Sequence, residues 1–186
     1  MNAEFDVTGV VIETERLTLR PWKESDLDDF FEYASVDGVG QMAGWLPHES
    51  KEKSKQILDM FISEKKTFAL EKDGKVVGSL GVEKYNETEF PELSDLSGRE
   101  IGCVLAKDFW GKGLMPEAVK AVCDYCFETL GYDFLMYGNF ERNNRSRRVR
   151  EKCGFKYVKT VDYTTRMNTA ERAEMGILFN PKKNEK

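Results

Sequence analysis

The 186-residue sequence predicts one α/β domain built on a mixed sheet. Three observations carry that reading. Asp73-Gly74 separates two β-prone runs, 67–72 and 75–85, and marks them as antiparallel hairpin neighbours. A run at 100–105 leads through a glycine-containing loop into a helix at 116–130 and then a strand at 133–140, a unit whose strands pack parallel. The full order, β-α-α-β-β-β-α-β-α-β-β, contains no repeat, low-complexity tract or linker, at a length that suits one core.

In chain order, 12–20 alternates well enough for a first strand, with Leu17 and Leu19 on one face. Ser25-Asp-Leu-Asp28 resembles a capping box and predicts a helix to about Ala34. Three glycines, Trp45 and Pro47 make 36–47 a loop or broken helix. Ser50 is placed to cap a helix to about Lys65, with Ile57, Leu58, Phe61 and Ile62 at helical spacing. The acidic stretch 86–98 reads as a loop. The helix 116–130 has the clearest periodicity, with apolar residues at 119, 122, 123, 126, 127 and 130 and Gly131 as its stop. A short helix follows from Asn143 to Cys153, Gly154 ends it, and strands at about 155–163 and 172–179 close the domain. The core is expected over about 11–180, with a frayed tail after Pro181.

Composition excludes several classes. Hydrophobic residues at 40% against 33% charged place the chain among soluble globular proteins. No apolar run approaches the ~20 residues that span a bilayer, and the N-terminus lacks a secretory pattern. The expected location is the cytoplasm, with no membrane partner. A net charge of −5 and a pI near 5.2 argue against a nucleic-acid partner. Cys123-Asp-Tyr-Cys126 has the C-x-x-C form, but no second ligand pair accompanies it and both residues fall on the apolar helix face. The four cysteines (103, 123, 126, 153) are read as reduced structural thiols, and no metal is expected.

The organising stretch runs from Ile101 to Ala118. An apolar strand enters a turn with Gly111 and Gly113, and a helix starts at once. Pro116 suits its first turn and Glu117 complements its dipole. Free N–H groups beside glycines form an anion trap, so the turn is expected to hold a cofactor pyrophosphate. An ordinary strand–helix turn is the competing reading. A dinucleotide fingerprint fails because Pro116 stands where its third glycine belongs. A P-loop fails because Ala106 stands where its first glycine belongs.

The residues Trp110-Gly-Lys-Gly-Leu-Met115 resemble the Q/R-x-x-G-x-G/A acyl-CoA turn of the GNAT superfamily of N-acetyltransferases, in the W-G-K-G form of its RimJ/RimL-type branch. Further segments resemble that branch in the same order: Ile12 to Pro21 with Ser25-Asp26, Val77 to Gly81, Glu100 to Leu105, and Asn143-Asn-Arg-Ser146 followed by Val149 to Phe155. The resemblance implies a mixed, mostly antiparallel sheet splayed at the cofactor cleft with helices on both faces. It also implies acetyl-CoA as co-substrate and direct transfer to a primary amine, either a protein N-terminus or a small molecule.

The same resemblance assigns roles. The amides around Trp110, Gly111, Lys112, Gly113, Leu114 and Met115 would bind the pyrophosphate, and Val104 and Leu105 would offer backbone to pantetheine. Asn143 would bond the pantetheine arm, or serve only as a helix cap. Arg150 stands where many members carry a Tyr acid, and Ser146 is the candidate substitute donor to the thiolate. Arg148, from the cluster Arg142, Arg145, Arg147, Arg148 and Arg150, would meet the 3′-phosphate; a solvated helix face is the alternative. An α-amine with pKa ~8 needs only weak base help. Glu100 is the carboxylate placed to give it, against a bland reading as a strand-end charge. His48 is expected to shape the acceptor wall. A homodimer and a non-catalytic acyl-CoA-binding module remain open.

Overall fold

The computed structural model describes residues 1–183. The expected first strand is two strands. β1 (Ile12–Glu13) and β2 (Thr18–Pro21) pair antiparallel, with Ile12 opposite Leu19, because 14–17 folds back between them. The Thr14 N–H donates to the Leu17 carbonyl at 2.9 Å and the Thr14 hydroxyl accepts the Leu17 N–H at 3.0 Å, a local alternative to continuous strand.

A 3-10 turn, Glu24–Asp26, leads into α1 (Leu27–Ala34). Ser25 does not cap it. The Asp26 carboxylate accepts the Lys23 N–H at 2.8 Å and two Arg20 nitrogens at 2.8 and 2.9 Å, which fixes the helix start to β2. The glycine-rich loop contains a 3-10 turn, Gly40–Ala43. Ser50 does cap α2 (Lys51–Glu64), accepting from the Lys53 N–H at 3.2 Å.

β3 (Thr67–Lys72) and β4 (Lys75–Glu83) form the expected hairpin. Asp73 and Gly74 have φ of 51° and 79°, the positive pair that a tight two-residue turn demands. β5 (Gly98–Leu105), α3 (Leu114–Asp124) and β6 (Phe134–Phe140) form the parallel unit, with Gly98 opposite Phe134. α3 starts two residues before Pro116 and ends in a π-helical turn, Tyr125–Thr129. α4 (Asn144–Lys152), β7 (Lys156–Thr164) and β8 (Ala170–Phe179) complete the chain.

The sheet order is β1-β2-β3-β4-β5-β6-β8-β7. β8 inserts antiparallel between β6 and β7, so those two strands run parallel but are not neighbours. α3 and α4 cover one face, packing Ala118, Val119, Val122 and Cys153 onto Leu80, Ile101 and Leu135. α1 and α2 cover part of the other, with Phe30 and Leu58 against Ala69 and Val76. A third cluster, including Tyr85, Phe90, Phe134 and Met136, occupies the far end of that second face. Between these two clusters the middle of the sheet lies open. Residues 181–183 form a turn in which the Lys183 N–H donates to the Asn180 carbonyl at 3.1 Å; the expected fraying of 184–186 lies outside the described residues. No helix among the described residues is long and apolar enough to cross a membrane.

Candidate active site

β5 and β6 stay paired only as far as Ile101 opposite Tyr137. Beyond that point β5 remains on β4 to Leu105, while β6 continues on β8 to Phe140. The parallel strands therefore fork, as expected for a splayed sheet, and the fork opens into a cleft of about 1340 Å³. One end of the cleft is the turn before α3 and the start of α4. The other is the open second face of the sheet.

In the turn, Gly111 and Gly113 have φ of 76° and 78°, which L side chains rarely adopt. A Cβ at Gly111 would meet nothing, and one at Gly113 only Arg16 Nη2 at 3.5 Å, so the surface above the turn is open. Leu114 and Met115 begin α3, where N–H groups have no intrahelical acceptor. Among the described residues, none of the 111–115 amides donates to a carbonyl elsewhere in the fold. Trp110 anchors the turn from beneath, its indole N–H donating to the Leu105 carbonyl at 2.7 Å and its ring lying 4.4 Å under the Arg145 guanidinium. That bond engages the carbonyl of Leu105, whose side chain is buried, while Val104 is half-buried along the cleft.

A clamp that sequence reasoning missed holds the turn from outside. Arg16 donates to the Lys112 carbonyl at 2.8 Å and pairs with Glu117 at 2.7 Å, and the Thr14 hydroxyl donates to Glu117 at 2.7 Å. Burial works against ionisation of Glu117, but the bonds from Thr14 and Arg16 outweigh it and hold the carboxyl below its ordinary range. The Lys112 ammonium sits 5.2 Å over the Phe109 ring.

Asn143 is the cap of α4, its side-chain oxygen accepting the Ser146 N–H at 3.1 Å and its amide donating to the Met42 carbonyl at 3.2 Å. Ser146 is half-buried on the cleft wall and shares a 3.0 Å hydrogen bond with the Tyr137 hydroxyl, which in turn lies 3.1 Å from Cys103 Sγ. Burial, then the Cys103 neighbour, pushes the Tyr137 phenol far above its usual range, and burial pushes the Cys103 thiol up to about 11. All three groups are neutral near pH 7. Cys123, Cys126 and Cys153 are free, buried core residues.

The arginine cluster divides. Arg142 pairs with Glu171 at 2.7 Å, and Arg147 and Arg150 pair with Glu174 at 2.8 and 3.2 Å. All three are tied to carboxylates of β8, and of them only Arg150 is buried. Arg145 and Arg148 line the cleft and have no carboxylate partner among the described residues.

At the other end of the cleft, Glu100 is half-buried with no hydrogen-bond or ion-pair partner among the described residues. Burial, then repulsion from Glu83 directly opposite on β4, pushes its carboxyl up to about 7. His48 is buried between Phe30 and Trp45, with Nδ1 2.7 Å from Ser54 Oγ; burial, then Lys53, lowers its pKa and keeps it neutral.

A forked parallel pair, an amide-lined helix start and helices on both faces of a mostly antiparallel sheet define the N-acyltransferase class of α/β folds. A family model described as an acetyltransferase (GNAT) domain matches residues 16–156, and the chain belongs to that family of enzymes. It is 28% identical over 125 residues to the uncharacterized N-acetyltransferase p20 of Bacillus licheniformis, covering 63% of this chain and 66% of that protein. Its fold is similar to that of a ribosomal-protein-S5-alanine acetyltransferase from Vibrio fischeri, with a TM-score of 0.70, 22% identity, and 92% and 97% of the two chains covered. It is also similar to the microcin C7 self-immunity acetyltransferase MccE, solved in complex with acetyl-CoA and AMP, with a TM-score of 0.72, 12% identity, and 89% and 93% covered. The GNAT resemblance read from the sequence is thus borne out at the level of the family.

Proposed function

We propose that this protein transfers the acetyl group of acetyl-CoA to a primary amine by direct attack in a ternary complex. The observation that carries the reading is the fork, which joins an amide-lined turn and an unpaired carboxylate, Glu100, in one cleft. The donor would supply an activated thioester, and this chain's residues suit it. The 111–115 amides and the helix dipole favour the pyrophosphate, and Arg145 and Arg148 are the arginines of the cluster left to meet a further phosphate.

Glu100 accepts, directly or through water, the proton that the neutral amine sheds as it attacks. With a carboxyl at about 7, it is ionised where an amine of pKa ~8 begins to be neutral, and the nitrogen becomes acidic once it bonds to the acetyl carbon. The amine nitrogen bonds to the acetyl carbon and gives up one proton to Glu100, the carbon–sulfur bond breaks, and its electron pair leaves on sulfur. Ser146 donates a hydrogen bond to that developing thiolate, and Tyr137 donates to Ser146 from behind, so the wall polarises without charge of its own. Tyr137 is a positioning residue in this account.

The test is release of CoA over a panel of primary amines, matched to the amount of N-acetyl product. Equal amounts of both products support the reading. Binding of acetyl-CoA with no turnover of any amine would replace it with a non-catalytic acyl-CoA-binding module.

A further inference from the structure

The open second face of the sheet is a trough floored by glycine. Gly81 on β4 stands opposite Gly102 on β5, and Gly138 on β6 lies two residues past Met136, the partner of Glu100. Two carboxylates lie down on this floor. A Cβ at Gly81 would come within 2.6 Å of Glu83 Oε1, and one at Gly138 within 3.0 Å of Glu100 Oε1. Larger residues there would lift the carboxylates out of the trough, which accounts for glycine inside these strands.

The charges in the trough do not balance. Glu83 and Glu100 are direct cross-strand partners, an arrangement that repels. Lys66 reaches Glu83 at 3.0 Å but is shared with Glu64 at 2.6 Å. The cations on the acceptor rim, Lys53, Lys84 and Arg166, are exposed. An independent observation comes from β3. Thr67, opposite Gly81, is 3% exposed and lines the same cleft, yet its hydroxyl has no partner among the described residues. A buried hydroxyl without a partner is costly in free energy unless a ligand satisfies it.

We propose that this trough is the acceptor subsite and that it selects amines with no carboxylate on the carbon bearing the nitrogen, a proposal that rests on the acetyl-transfer reading above. A free amino acid would bring its carboxylate against Glu83 and Glu100 with no buried cation to receive it. An amide or hydroxyl in that place accepts a hydrogen bond from Thr67 and adds no charge. The class is thus peptides with a free N-terminus, amino-acid amides, amino alcohols and simple alkylamines.

The experiment compares kcat/KM for amino acids and their own amides over several side chains, expressed per unprotonated amine because amidation lowers the amine pKa. The expected result is a preference for the amide of about a hundredfold, the scale of a like-charge juxtaposition, falling at least about tenfold in E83Q. T67V, which changes no charge, is expected to raise KM for amides with kcat little changed. Equal rates for acid and amide, or faster turnover of the acid, would overturn the proposal while leaving acetyl transfer intact. No turnover of any amine, with acetyl-CoA still bound, would remove the acetyl-transfer reading and this proposal together.

Discussion

The two ends of the cleft are built in opposite ways. The proposed donor end consists of two short runs of consecutive residues, 110–115 and 143–148, at helix starts, and would act largely through backbone amides. The acceptor end takes Thr67 from β3, Glu83 from β4, Glu100 from β5 and Gly138 from β6, and exists only once four strands are in register. A backbone anion site needs local conformation, which glycine at two positive-φ positions supplies. A side-chain pocket needs long-range pairing, which no short segment encodes. The donor end should therefore fail through backbone changes, and the acceptor end through changes in charge.

The largest effect is expected from Gly113→Asp, which places a side chain and a negative charge on the amide surface. Acetyl-CoA binding should be lost in calorimetry, and an unchanged Kd would detach the turn from the donor. Glu100→Gln should next lower kcat/KM by about 10²–10³ at pH 8, within the range of a general base, while acetyl-CoA affinity holds. The same variant has a stability signature. Because the folded pKa of about 7 lies above the ordinary 4.5, ionising Glu100 destabilises the fold progressively above about pH 4.5 and fully above about 7. The gain in Tm of Glu100→Gln over the native chain should thus be greater at pH 8 than at pH 5; a gain that does not grow with pH would mean that Glu100 is solvated like any surface carboxylate.

Ser146→Ala should lower kcat about tenfold with KM for acetyl-CoA nearly unchanged, the cost of one lost hydrogen bond to a charge, and Tyr137→Phe, whose bond goes to the neutral Ser146 hydroxyl, should lower it less. Adding Tyr137→Phe to Ser146→Ala should cost little more, since Tyr137 acts through Ser146. Additive losses would show a separate role for Tyr137. Smallest is Arg16→Ala, which frees the Lys112 carbonyl and breaks an exposed pair with Glu117. It should raise KM for acetyl-CoA a few-fold, the scale of such pairs, and leave kcat unchanged.

The same division explains what the sequence revealed. Asp73-Gly74, Ser50 and Asn143 are local signals that appear in the fold where they were expected, and the 116–130 periodicity holds from Val119 to Phe127, while its last member, Leu130, is exposed past the π-helical turn. The break in 12–20 was hidden because the Thr14–Leu17 turn lies inside an alternating pattern. Ser25 was mistaken for a cap because the partner of Asp26, Arg20, comes from the preceding strand. At the site, the glycine turn was legible, whereas Glu83, Thr67 and Tyr137 were not, since each gains its meaning from a residue on another strand or helix. Isolated glycines within strands, at 81, 102 and 138, were the signal that could have located the trough.

The account stands most directly on the pH dependence of kcat/KM, measured for one amine in the native protein and in Glu100→Gln. Ionised Glu100 is the reactive form, so the native rate should rise through about pH 7 and again as the amine loses its proton near pH ~8. Glu100→Gln should keep only the second rise. Superimposable profiles would contradict the assignment of the amine's proton to Glu100.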